Sequence, residues 1–148
     1  MRSTILCAAL TACATGGENS PPVIEKWNHA VAMADCAPWD GPATTVYLTQ
    51  VPYTDQLTRP FLRLAVYRGV DEVAGQRWDV GVGHERDGLP ALCPVMGECV
   101  TARSGWIAFE ARGTGALLEG RYDFTLETGK RIAGGFVAPV LERLALCG

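Results

Sequence analysis

The chain has 148 residues, with 13 Lys and Arg against 16 Asp and Glu and a net charge of −3; this length supports one domain whose core can stand without a metal. The acidic balance argues against a nucleic-acid partner, because such binding needs clustered Lys and Arg that release counterions, and here the basic residues are scattered. With 17 glycines, 9 prolines and 20% charged residues, the composition favours many turns over long helices, and 6 cysteines become the main clue to compartment.

Residues 1–12 begin with one positive charge, Arg2, and continue into an apolar run from Ile5 to Ala12. That run falls well short of the ~20 residues a membrane-crossing helix needs, but it suffices for the core of an export signal. Leu10-Thr11-Ala12-Cys13 resembles the lipobox of bacterial lipoproteins: an aliphatic residue and two small ones, which let a peptidase approach the backbone, then the cysteine that is lipidated. The resemblance implies that residues 1–12 are a signal peptide and that Cys13 carries a thioether-linked diacylglycerol and palmitate-type acyl chains. The partner it implies is the lipid bilayer, reached through the acylated Cys13. It further implies the bacterial cell envelope as location, in the outer membrane because no Asp follows Cys13. Residues 13–22, small, polar and Pro-containing, read as a flexible tether that cannot bury enough apolar surface to order itself. Residues 23–148 are left as a single β-rich globular domain.

Within that domain, residues 22–34 could hold a helical turn or two around Trp27 and Val31. Asp40-Gly41-Pro42 is a turn signal. Residues 44–51 are rich in β-branched and aromatic residues and end at Pro52. Residues 61–68 alternate Leu62, Leu64 and Val66 against Arg63, Ala65 and Tyr67, the period of a strand covered on one face. Residues 76–83 place Trp78, Val80 and Val82 opposite Arg77, Asp79 and Gly81, and residues 84–90 follow as a polar loop. A weaker strand is predicted over 98–103 and another over 106–111, separated by a turn at Arg103-Ser104-Gly105. The strongest signal is a hairpin of 118–127 and 130–137, joined at Thr128-Gly129, where Gly supplies the positive φ of a tight connection. Residues 141–146 are too short for a helix that stands alone. About seven or eight strands at such spacing predict an all-β fold, either an antiparallel β-sandwich or a small β-barrel.

Once Cys7 leaves with the signal and Cys13 takes the lipid, Cys36, Cys93, Cys99 and Cys147 remain in an exported domain, where an even number reads as two disulfides. Of three possible pairings, Cys93 with Cys99 and Cys36 with Cys147 are favoured: the first closes a short loop that can turn back on itself, the second ties the domain's start to its end. A zinc site is disfavoured because Cys-x₅-Cys lacks knuckle spacing and the two histidines lie far off.

Asp35-Cys36-Ala37-Pro38-Trp39-Asp40-Gly41-Pro42-Ala43 and the closing Gly120-Arg121-Tyr122-Asp123-Phe124-Thr125-Leu126, with Gly129, Gly135 and Phe136, resemble small exported lipoproteins of uncharacterised function from bacteria with GC-rich genomes. The resemblance covers about a quarter of the chain and implies a β-rich exported domain rather than an activity.

Candidate chemistry is sparse, and neither a cofactor, a metal site nor a catalytic residue is assigned. His84-Glu85-Arg86-Asp87 is the densest polar cluster; His84 with Glu85 or Asp87 could serve a hydrolase, although glycines on both sides suit an exposed turn. Trp39 is expected to pack near the Cys36 disulfide. Trp27, Trp39, Trp78 and Trp106 would make a carbohydrate surface if several were exposed together. The leading expectation is a non-enzymatic, membrane-anchored binding or interaction module, contacting an envelope protein or surface polymer. The alternatives are a lipocalin-like barrel carrying an apolar ligand and the His84 hydrolase.

Overall fold

The computed structural model describes residues 26–111, 116–141 and 145–147. The signal peptide expected over residues 1–12, the cysteine expected to carry lipid, Cys13, and the tether expected over residues 13–22 lie outside the described residues. Eight strands carry the domain: β1 (His29–Cys36), β2 (Pro42–Thr49), β3 (Phe61–Val66), β4 (Arg77–Gly81), β5 (Ala91–Cys93), β6 (Val100–Phe109), β7 (Leu117–Leu126) and β8 (Arg131–Leu141), with a single helical turn, α1 (Val70–Val73), between β3 and β4. The all-β expectation holds, and the arrangement is sandwich-like.

One layer is β5-β3-β2-β1, paired antiparallel throughout; the other is β4-β6-β7-β8, also antiparallel. Two long strands pass between the layers. β6 pairs with β5 at Val100 and Thr101 and with β4 from Ser104 onward, and β8 leaves β7 at Pro139 to run parallel to β1 at Val140 and Leu141. Strands that switch sheets in this way make the corners of packed β-layers. The seven strands other than β4 thereby close into a ring. An odd ring cannot alternate direction all the way round, and the parallel β1·β8 contact absorbs the mismatch.

Between the layers lie the inward side chains of alternate positions, among them Val46, Leu48, Leu62, Leu64, Ile107 and Phe124, all fully buried. The predicted inward set Tyr122, Phe124 and Leu126 is buried as the alternation requires. Phe109 and Phe136 meet edge to face, with ring centroids 5.8 Å apart. A second, smaller cluster of Ala37, Ala43, Ala65 and Tyr67, with Leu89 against it, lies on the outer face of the first layer.

Three sequence expectations are corrected. Of the stretch predicted to hold helical turns, residues 22–25 lie outside the described residues and residues 29–34 belong to strand β1, because the apolar run is covered on both faces: Ala32 points into the main core while Val31 and Met33 are buried on the other side. The strands predicted over 98–103 and 106–111 are one strand, β6; Ser104-Gly105 accommodates a register shift between Ala102 and Ser104 instead of ending the strand. Gly105, at φ 146°, has no room for a side chain, since a Cβ there would stand 2.3 Å from that of Phe124. Val82, predicted on the buried face of its strand, is 71% exposed, because β4 ends at Gly81, whose φ of 104° turns the chain away. Between β3 and β4, where the sequence carries no strand period, lies α1, which buries Val73. β5, three residues between Pro90 and Pro94, was not foreseen.

The closing hairpin turns as expected. Gly129 has φ 85°, its N–H donates to the Leu126 carbonyl at 2.8 Å, and the Leu126 N–H donates to the Lys130 carbonyl at 2.8 Å. Leu141 ends β8, and Ala145–Cys147 has no regular structure.

Candidate functional site

Both expected disulfides are present. Cys36–Cys147 joins the end of β1 to the chain's last described residue, with Cα atoms 5.5 Å apart, and Cys93–Cys99 closes the β5–β6 loop, with Cα atoms 4.1 Å apart. In the short loop Arg59 adds a second clamp, donating from Nη1 to the Gly97 carbonyl. An all-β domain stapled twice belongs to an oxidising, exported compartment. No helix among the described residues is long and apolar enough to cross a membrane.

Two surface clefts gather the remaining chemistry. The first, about 560 Å³, lies on the outer face of β1 and β2 and is lined by Met33, Asp35, Tyr47, Tyr53, Asp55 and Leu57 among others. The Asp35 carboxylate accepts the Thr45 hydroxyl at 3.2 Å and the Cys36 N–H at 2.9 Å. Burial pushes the Tyr47 phenol above its ordinary value, and the nearby Asp35 charge adds to the shift against the opposing pull of Arg63. Tyr47 is therefore a neutral hydrogen-bonding group at physiological pH. The two ionisable side chains that β1 and β2 bring to this cleft, Asp35 and Tyr47, are thus partnered or neutral, which suits a polar wall better than a reactive centre.

The second cleft, about 390 Å³, is lined by Trp39, Arg68 and Arg86, which come from three separate turns. Trp39 sits in the β1–β2 connection. There Ala37 N–H donates to Gly41 O at 2.8 Å, Asp40 N–H donates to Ala37 O at 3.1 Å, and Asp40 takes a left-handed φ of 65°. Aspartate tolerates that conformation better than most residues. The indole stands edge-on to Tyr67, a member of the satellite cluster, at 4.9 Å and is 50% exposed, a half-open ring. Arg68 follows β3 and is held three ways. It donates to the Tyr67 carbonyl at 2.7 Å, pairs with Asp87 at 3.4 Å, and lies over the Trp78 ring at 5.1 Å.

The 84–90 loop is stitched to the end of β3. Tyr67 N–H donates to Asp87 O at 2.8 Å and Leu89 N–H to Ala65 O at 3.1 Å, while Gly88 approaches so closely that a Cβ would meet Ala65 O at 2.4 Å. With the His84 N–H donating to the Gly81 carbonyl and the Asp87 N–H to the His84 carbonyl, each at 2.9 Å, the backbone is fixed on either side of Arg86, whose guanidinium has no ion-pair or hydrogen-bond partner among the described residues. His84 Nδ1 lies 3.4 Å from Asp87 Oδ2, yet Asp87 also serves Arg68. Glu85 folds back to accept the Gly83 N–H at 3.0 Å, and this bond is the main reason its carboxyl lies below the ordinary range. The carboxylates beside His84 are thus engaged in holding the loop. Among the described residues, no group of three or more His, Cys, Asp or Glu could hold a metal.

The four tryptophans do not share one surface. Trp27 and Trp78 pack against the main core, and Trp106 lies beneath the Arg77 guanidinium, 4.5 Å from its centre. Sequence reasoning had named Trp39 and Arg86 but treated Arg68 only as a strand's final residue. Nothing local in the sequence marks these three as neighbours, because the β2–β3 pairing and the loop stitch bring them together. Compared with known protein families, curated proteins and solved structures, the chain matches none.

Proposed function

We propose that the protein is a bacterial envelope lipoprotein, held to the membrane through an acylated Cys13, whose β-domain is a non-enzymatic binding module. The observation that carries this reading is the cysteine division: the four domain cysteines pair as Cys36–Cys147 and Cys93–Cys99, which leaves Cys7, inside the apolar run of the leader, and Cys13, at the end of the lipobox-like Leu10-Thr11-Ala12 and the one placed to take lipid. More than one acyl chain at that thiol makes anchoring durable, at about 0.8 kcal/mol for each buried CH₂.

The packing supports binding at the surface over carriage inside. The space between the layers is filled by large side chains such as Phe124, Leu48, Leu62 and Ile107, and an apolar ligand would have to displace them. The engagement of Glu85 with the Gly83 N–H and of Asp87 with Arg68 likewise favours a recognition surface over the hydrolase alternative. Fractionation tests the anchor. The parent chain is expected in the membrane fraction and labelled by a palmitate analogue, and Cys13→Ser in the soluble fraction without label. Equal membrane recovery of both overturns the anchor.

A further inference from the structure

We propose that the cleft formed by Trp39, Arg68 and Arg86 binds a carboxylate-bearing sugar ring, the unit that an acidic envelope or surface polysaccharide presents. The inference deepens the binding-module reading and rests on it for the choice of ligand. Its geometry stands on the cleft alone.

Three features define the ligand. Arg86 is a positive charge on a fixed backbone with no anionic partner among the described residues, whereas Arg68 beside it is already balanced by Asp87. Among the described residues the cleft therefore carries one unneutralised guanidinium, whose planar fork fits a carboxylate through two parallel hydrogen bonds. Trp39 supplies a half-exposed apolar surface, braced from behind by Tyr67 and lying against Gly41, where a Cβ would come 3.3 Å from the indole nitrogen. A rigid aromatic held this way loses little conformational entropy on binding.

The shape then separates candidates. Among the described residues the cleft takes its aromatic surface from one side chain, and a volume of about 390 Å³ lies toward the small end of ligand clefts, which run ~300–1,000 Å³. A flat aromatic acid gains most when enclosed on both faces. A pyranose ring needs only one platform for its C–H face, keeps its hydroxyls in water, and can carry a carboxylate toward Arg86. An open cleft also lets the neighbouring units of a polymer pass outward.

The test is a calorimetric titration of the full chain in detergent with trigalacturonate, its methyl-esterified neutral counterpart, and inorganic phosphate. The expected result is saturable binding of trigalacturonate alone. Arg86→Ala and Trp39→Ala should each weaken it about tenfold or more, the scale of losing one charge-assisted contact or one aromatic platform. Arg86→Lys should recover only part of the loss, and Arg121→Ala, on the outer face of β7, should change nothing. Equal binding of the methyl ester, phosphate binding as tight as trigalacturonate's, absence of saturable binding, or an Arg86→Ala affinity within about twofold of the parent's would each overturn the proposal. Loss of sugar binding with Cys13-dependent membrane recovery intact would reject this ligand and leave the envelope reading standing. Sugar binding without that recovery would do the reverse.

Discussion

Cys36, the last residue of β1, is bonded to Cys147 across 111 residues of sequence, so the strand that opens the domain is tied covalently to the segment that follows its last strand. The same two strands, β1 and β8, meet in the parallel pair at Ala32–Val140 and Met33–Leu141. A parallel contact of two residue pairs is a weak way to close a ring of strands, and the disulfide fastens the chain beside it. On the chain-entropy account, a loop of this length contributes about 4.7 kcal/mol, against about 2.4 kcal/mol for the short Cys93–Cys99 loop. The double variant Cys36→Ser/Cys147→Ser should therefore lose more unfolding free energy in denaturant than Cys93→Ser/Cys99→Ser. The opposite order would mean that the long staple does little for closure.

Asp123 and Arg131 face each other across the closing hairpin in a two-pronged pair, with Nε to Oδ1 at 2.8 Å and Nη2 to Oδ2 at 2.6 Å. The Arg131 hydrogen bonds hold the Asp123 carboxyl below its ordinary range, against an upward push from partial burial and with the Arg131 and Arg77 charges adding to the lowering. The folded value is thus lower than the unfolded one, near ~3.9. The pair's stabilisation is then present above the unfolded value and lost as pH falls through the folded value. Thermal melts between about pH 5 and about pH 2 should fall more steeply for the parent than for Arg131→Gln. Parallel acid profiles would show that the pair contributes nothing on folding.

Gly120 on β7 lies under the Phe136 ring, and a Cβ there would stand 2.6 Å from the ring and 2.4 Å from the Ala108 carbonyl. The ring could swing aside, but the backbone oxygen of the neighbouring strand cannot. Gly120→Ala should cost about 1–3 kcal/mol, the scale of overpacking a filled site. A neutral substitution would mean that β6 and β7 can separate locally without penalty.

Phe124 and Val82 make a contrasting pair. Phe124 is 1% exposed between the layers, and Phe124→Ala should destabilise by about 3–5 kcal/mol. Val82→Ser should stay within about 0.5 kcal/mol of the parent, because that side chain stands in water past the end of β4. Chemical denaturation of both variants checks the assignment of the buried face.

The contrast also explains which parts of the fold could be read from the sequence. Strict alternation marked β3 and β7, because each turns one face to a single core and the other toward solvent or a thin cover. β1 lacked that signal. Its Ala30-Val31-Ala32-Met33 run is covered on both sides, and uniform burial erases the period that separates strand from helix. The split of β6 had the opposite cause: Ser104-Gly105 carries turn chemistry, but the long strand uses it to bulge as it passes from one layer to the other. β5 is too short for any pattern, and its position is set by pairing with β3.

The disulfides were legible because loop closure and an even cysteine count constrain pairing. The Trp39, Arg68 and Arg86 cleft was not, since it joins three turns that approach only after β2 and β3 pair and the 84–90 loop docks.

The most direct test of the envelope-lipoprotein reading is the intact mass of the protein recovered from membranes, measured without reduction after denaturation in iodoacetamide. The account predicts a chain beginning at Cys13, carrying the mass of a diacylglycerol and further acyl groups, with no thiol alkylated until a reductant is added. A chain that still begins at Met1, carries no lipid and alkylates at its domain cysteines without reduction would contradict it.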